Sequence, residues 1–169
     1  MKRRHVTYAG ILNAAVNILL TLVLAAALLL FVPKLMGMGT FAVLSGSMEP
    51  TLSVGSLIFT QPCGGIGDIR KQDIIASHAG DVLVTHRAVA VDENAGTITT
   101  QGDANKVPDE TPVKLEDVIG KVRFHIPFLG YLLMTIQTRE GRTAVCLAAA
   151  GVLVLSICSN LKRKKEETI

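Results

Sequence analysis

Two hydroxyls two residues apart, Ser45 and Ser47, stand in the stretch Phe41 to Phe59, FAVLSGSMEPTLSVGSLIF, where small and nucleophilic residues lie between two apolar runs. Gly46 between them lets backbone approach closely, and Pro50 stops a helix from forming across the pair. Side chains at i and i+2 can point to one side. One oxygen could then attack a carbonyl while the second donates to the oxyanion that forms. The competing reading is a plain Ser/Gly turn between two strands, and the rest of the chain must decide.

A serine nucleophile needs a base, and the segment between the chain's two long apolar runs offers His78, His86 and His125. His78 stands in SHAGD, a turn signal, and reads as solvated. His125 alternates with Phe124 and Ile126 and shares a face with Arg123, which fits an exposed strand position. His86 differs, because it stands among Val and Ala on one strand face, where an unpartnered imidazole is costly to bury. It calls for a hydrogen-bond partner, and Asp103 could accept from one ring nitrogen while the other takes the Ser47 proton. Asp109, in the same polar loop, is a second carboxylate whose alternative is a solvated loop acid or a cap after Pro108. The set His86, Asp103 and Asp109 lacks the short ligand spacing of zinc sites, so no metal is expected.

The elements that must position these groups read as mostly β. Val54–Thr60 is a strand by its β-branched and aromatic content, Gln61–Asp68 a Gly/Pro loop, and Asp73–Ser77 a short buried strand. Val82–Val91 alternates, Asp92–Gly96 is a hairpin loop, and Thr97–Gln101 is the returning strand. If Val91 pairs with Thr97, His86 falls opposite Gly102, and a one-residue bulge would set it across from Asp103. Val118–Ile126 is a further strand. Pro127–Met134 is an apolar approach suited to a membrane interface.

With 49% hydrophobic and 18% charged residues and no Trp, the 169-residue chain has the composition of a membrane protein. Ala9–Val32 carries no charge over 24 residues, which as a helix spans about 36 Å. Thr143–Leu161 is uncharged over 19 residues and spans about 28 Å. The tails hold seven of the seventeen Lys and Arg but two of the fourteen acids, so the net charge of +3 divides into +5 on the tails and −2 between them. By the positive-inside rule both termini are cytoplasmic and Pro33–Arg142 faces outside. The expected order is a basic cytoplasmic tail over 1–8, a transmembrane helix over 9–32, an extracytoplasmic domain over 33–142, a second transmembrane helix over 143–161 and a basic tail over 162–169. That middle segment has no basic stripe with interleaved aromatics, so no nucleic acid is expected as a partner. Cys63, Cys146 and Cys158 make no disulfide framework.

SGSMEPTL, then VTHRAV, then TQGDANKVPD, in that order behind an N-terminal anchor, resembles the type I signal peptidases, in their ER-type or SipW-like branch. The likeness covers Phe41 to about Tyr131. It implies a mostly β catalytic domain of the kind shared with LexA-type self-cleaving repressors, carried between two transmembrane helices. By the same likeness the activity is serine endopeptidase cleavage of signal peptides from exported preproteins after a small residue. Ser47 would be the nucleophile, Ser45 with the Ser47 N–H the oxyanion hole, His86 the general base, and Asp103 and Asp109 the supporting acids. In VTHRAV a histidine stands where the main bacterial branch uses a lysine, which leaves Lys106 as the competing base. The implied partners are preprotein signal peptides, the lipid bilayer of the cell membrane and the secretion machinery, with no cofactor. The rival readings are a dedicated protease for a few substrates and a catalytically silent scaffold or binding protein. One departure touches geometry: the family's usual Gly-Asp before the Ile-Ile strand is Gln72-Asp73 here.

Overall fold

The computed structural model of the chain describes residues 8–166. The basic tail expected over 1–8 therefore lies outside the described residues except for Tyr8, and the last three residues of the C-terminal tail do likewise. The chain divides into two compact units, one made of the segments up to Leu30 and from Ile136 onward, the other of Phe31–Thr135.

The helical unit rests on α1 (Tyr8–Leu35) and α3 (Arg139–Glu166). Within α1, Ala14–Leu35 is long and apolar enough to cross a bilayer. Ile18, Leu22 and Leu24 are each about 60% exposed and do not share one face, so the helix has no single stripe to bury against protein. Apolar side chains pointing in all directions are at home in lipid. The helix passes Pro33 and ends at Leu35, three residues beyond the expected boundary at Val32. A proline in the last turn removes one backbone donor without unwinding what precedes it, and Gly37 at a φ of 76° then closes the helix. α3 contains the whole of Thr143–Leu161 but begins at Arg139 and runs on into the basic residues. Among the described residues α1 alone meets the length and composition of a membrane span.

The other unit is built on one antiparallel sheet. Its strands are β1 (Gly39–Ala42), β2 (Leu57–Gln61), β3 (Ile74–Ala79), β4 (Val82–Asp92), β5 (Thr97–Gln101), β6 (Val113–Lys114) and β7 (Val118–Ile126), in the spatial order β1-β2-β7-β3-β4-β5-β6. The expected strand over Val54–Thr60 starts at Leu57, because the residues before it turn. Ser56 N–H donates to Ser53 O at 3.0 Å and Gly55 N–H to Val43 O at 2.9 Å. The apolar Pro127–Met134 segment becomes a short helix, α2 (Leu129–Gln137), whose Gly130 N–H donates to Gly55 O at 2.8 Å.

Two apolar clusters hold the sheet. Val43, Met48, Leu52 and Ile58 form one, from residues on either side of the Ser45–Ser47 turn and from β2, and Ile69, Ile75, Ala88 and Ile98 form the other, with one residue each from β3, β4 and β5. Met48 follows Ser47 directly and is 1% exposed, so burying its side chain, worth about 2 kcal/mol, fixes the backbone that carries Ser47. Gln72 stands at a φ of 80°, in the left-handed region that glycine occupies without strain, which is where the departure from Gly-Asp falls. The turn keeps its pairing with β4 all the same: Gln72 N–H donates to Ala88 O and Ala88 N–H to Asp73 O, both at 2.8 Å.

Candidate active site

The Ser45–Ser47 turn follows β1, and its two hydroxyl oxygens lie 3.3 Å apart. Ser45 is exposed and Ser47 half-buried. The turn is closed by Glu49 N–H donating to Gly46 O at 3.0 Å and Leu52 N–H to Met48 O at 2.8 Å. Beside it runs a groove of about 400 Å³, with Phe41 to Ser45, Ser47 and Met48 on one wall and Asp81 to Thr85 on the other.

β4 carries His86, which lines a second cleft together with Asp109, and Val84 of the same strand lines both this cleft and the groove beside the serines. His86 pairs with Ile75 of β3 on one side, whereas β5 pairs with β4 only from Arg87 onward, so a different segment fills the place beside the imidazole. The expected register needs correction here. Val91 pairs with Ile98 and Asp92 with Thr97, and a bulge at Val89 then slips the ladder by one residue, giving Arg87 opposite Gln101. The slip restores the count that sets His86 level with Gly102, but the further shift toward Asp103 does not occur.

Asp103 is taken by a neighbour instead. Arg87 Nε donates to Asp103 Oδ1 at 2.8 Å and Nη2 to Oδ2 at 2.6 Å, a two-pronged pair that matches the guanidinium fork to a carboxylate. This pairing holds the Asp103 carboxyl below the ordinary carboxylate range and raises the Arg87 guanidinium. Arg87 also donates to Gln72 O at 2.9 Å and reaches Thr51 Oγ1 at 3.5 Å, tying the turn before β3, the segment after Ser47 and the loop after β5 to one side chain.

The acid beside His86 is Asp109, with Nδ1 to Oδ2 at 2.6 Å. The loop after β5 doubles back so that Asp109 N–H donates to Thr100 O at 2.8 Å, while Thr100 Oγ1 donates to Asp109 Oδ2 at 2.7 Å. The same loop docks on the Ser45–Ser47 turn, where Ala104 N–H donates to Ser47 O at 2.9 Å. Gly102 makes that approach possible, since a Cβ there would lie 2.6 Å from Ser47 O. The carboxylate in contact with His86 is thus Asp109, where Asp103 was expected, and Asp103 is engaged by Arg87, one residue along the strand, with two hydrogen bonds.

Of the other candidates, the two remaining histidines stand elsewhere and Lys106 does not. His78 and His125 are exposed on β3 and β7, and Lys106 is exposed on the loop wall of a cleft that also holds His86 and Asp109. Among the described residues no group of His, Cys, Asp and Glu could hold a metal. Cys63 and Cys146 are free thiols, and burial pushes the Cys63 thiol up; Cys158 has no described side chain. Arg87 and Thr100 are not among the candidates that the sequence offers. An arginine inside an otherwise apolar strand was the available signal for the first, but a threonine in a strand carries none.

An imidazole held at Nδ1 by a carboxylate keeps Nε2 for a proton, and two adjacent hydroxyls on a buried anchor supply a nucleophile and a donor. These are group types that a serine hydrolase uses, Ser47 lining the groove and His86 the cleft that shares Val84 with it. No family model matches the chain. Curated relatives do: it is 31% identical over 125 residues to "Signal peptidase complex catalytic subunit sec11" of Pyrenophora tritici-repentis, covering 67% of this chain and 72% of that protein. The protein of the same name in Aspergillus terreus is 29% identical over 143 residues, covering 67% and 73%. "Signal peptidase I W" of Bacillus subtilis is 35% identical over 89 residues, covering 51% and 47%. The class is therefore that of the serine endopeptidases. The chain belongs to the type I signal peptidase family, in its ER-type, SipW-like branch.

Proposed function

We propose that the protein removes signal peptides from exported preproteins with Ser47 as nucleophile and His86 as general base, and that Asp109 orients His86. The observation that carries this reading is the 2.6 Å contact between His86 Nδ1 and Asp109 Oδ2, on a strand that also walls the groove holding Ser45 and Ser47. His86 Nε2 takes the Ser47 proton as Oγ attacks the carbonyl of the residue before the scissile bond, then gives it to the leaving amine. The Ser47 N–H and the Ser45 hydroxyl hold the oxyanion of the tetrahedral intermediate. Water then repeats the sequence to release the acyl group. Asp103, engaged by Arg87, braces the loop that carries Asp109.

The groove supports a polypeptide substrate. β4 from Val82 to His86 has β3 on one edge, and β5 joins the other edge only at Arg87, so an extended peptide can add to that edge by main-chain hydrogen bonds. Its walls are mostly apolar, with Val43, Leu44, Val82 and Val84 beside the serines, which suits small uncharged residues before the cleavage point.

A membrane setting fits this chemistry, since a signal peptide is itself an apolar segment. α1 supplies one anchor. We further propose that Thr143–Leu161 within α3 is a second span, with both termini cytoplasmic and the sheet domain outside; the basic residues at the two chain ends support this. Partner subunits belong to the reading as well, the Aspergillus and Pyrenophora relatives being named as subunits of a complex.

The test is a cleavage assay with the full chain in detergent and a preprotein ending its signal in Ala-x-Ala, comparing wild type with Ser47→Ala, His86→Ala and Lys106→Ala. The first two variants should lose about 10⁴- to 10⁶-fold in kcat, because the two groups act as one unit, and the third should keep nearly all. Turnover that survives Ser47→Ala points to a silent scaffold with a contaminating activity. Loss of activity in Lys106→Ala, with His86→Ala active, transfers the base role to the lysine.

A further inference from the structure

Thr100 has no place in the chemistry described so far, yet it is 2% exposed and spends its hydroxyl on one particular atom. It lies on β5 opposite Ala88, two residues along β4 from His86, so Thr100, Ala88 and His86 share one face of the sheet. Asp109 arrives on this face from the loop. Its Oδ2 accepts from both sides, from Thr100 Oγ1 at 2.7 Å and from His86 Nδ1 at 2.6 Å, while its own N–H is held by Thr100 O at 2.8 Å. One residue thus grips Asp109 at backbone and side chain. It is β-branched, with few χ1 choices to lose.

We propose that Thr100 is a positioning residue for the reaction, which aims the Asp109 carboxylate at His86 through these two hydrogen bonds. The proposal rests on the reading of Asp109 as the acid that orients His86. A carboxylate on a loop can swing away to water. Of its two oxygens, the one facing His86 is the one Thr100 also holds, so the hydroxyl selects the rotamer in which the imidazole is correctly turned. The strand supplies the rigidity that the loop lacks. The alternative is that the hydroxyl merely finds a buried acceptor, with no effect on His86.

The experiment measures kcat and KM of the full chain in detergent for wild type, Thr100→Val, Thr100→Ala, Thr100→Ser, Asp109→Ala and the double variant Thr100→Val/Asp109→Ala, with thermal midpoints as a fold check. Thr100→Val keeps the shape and loses the hydroxyl; its kcat should fall about tenfold, the kinetic equivalent of one hydrogen bond to a charged group, with KM unchanged. Thr100→Ala gives a second hydroxyl-free side chain and should show the same loss, so the result stands even where Val packs poorly. Thr100→Ser should restore kcat to within about threefold of wild type. In the Asp109→Ala background Thr100→Val should cost nothing more, because the hydroxyl acts through that carboxylate. A tenfold loss that persists in the double variant, or a Thr100→Ser no better than Thr100→Ala, overturns the proposal, as does full kcat in Thr100→Val and Thr100→Ala. If Asp109→Ala itself keeps wild-type kcat, the acid role of Asp109 falls first and this proposal with it; if Asp109→Ala is crippled while Thr100→Val is not, only the role of Thr100 is lost.

Discussion

Two carboxylates six residues apart in one loop meet two different bases on one strand, and the partner decides the role. Asp103 faces a guanidinium that is always charged and offers two parallel donors; Asp109 faces an imidazole that can give and take a proton. The expected consequences differ. Asp109→Asn should lower kcat by about 10²- to 10⁴-fold with little change in thermal midpoint, since a misdirected imidazole harms turnover more than folding. Asp103→Asn should chiefly destabilise. The sign with pH follows from the lowered Asp103 carboxyl: its charged form is favoured by folding, so this contribution is fully present above the unfolded value of about 3.9 and is lost as pH falls through the lower folded value. Thermal unfolding of wild type and Asp103→Asn, scanned from pH 6 down to about pH 2, should show the two midpoints converging at the acid end. Midpoints that stay parallel across the scan would show that the Arg87–Asp103 pair contributes nothing through ionisation.

At the scale of elements, the loop after β5 meets both halves of the site. It takes the Ser47 carbonyl through Ala104, Arg87 through Asp103 and His86 through Asp109. At Gly102 a Cβ would lie 2.6 Å from Ser47 O, and any side chain there meets a backbone oxygen that has no rotamer to yield. Gly102→Ala should therefore push the loop off the turn and lower kcat/KM by about 10²-fold, the cost of displacing catalytic groups by roughly 1 Å. The sheet itself should remain folded by circular dichroism, because the two apolar clusters do not include the loop. Activity within threefold of wild type would mean that the loop adjusts and that its docking on Ser47 is incidental. β4 is the matching rigid element. It pairs with β5 over its second half, with a bulge at Val89, and leaves Val82–Thr85 along the groove and His86 in the cleft with Asp109.

For the whole molecule, the sequence of segments frames a prediction about placement in the membrane. In the proposed topology, with both basic ends cytoplasmic, a protease added outside intact cells or right-side-out vesicles should reach the exposed stretch near Asn94 and leave tags on both termini intact. Labelling of a cysteine placed at Asn94 from the cytoplasmic side would rule that arrangement out, and protection of one tag alone would leave α1 as a single span. The apolar character of α1 on every face makes an aqueous setting for Ala14–Leu35 costly, and its length and composition suffice to cross a bilayer.

Much of this was legible without coordinates. Composition pointed to a membrane protein and α1 to its anchor. Alternation located β4 within a residue of where it stands, and β5, read as the strand returning from the hairpin loop, and β7 stand where they were expected. The SGSM, VTHR and GDAN segments carried the family. These are local or compositional signals, and local rules suffice to read them. Which acid serves which base was not local. Counting from a hairpin assumes an unbroken ladder, and the ladder has a bulge. Residue spacing also cannot weigh a competition between Arg87 and His86 for one carboxylate, because the outcome depends on where a nine-residue stretch of loop turns back onto β5 through Thr100. The chain spelled out the chemical groups, and the tertiary structure decided their pairing, because a hydrogen bond is formed by atoms that meet in space and a loop leaves that meeting open until it is packed.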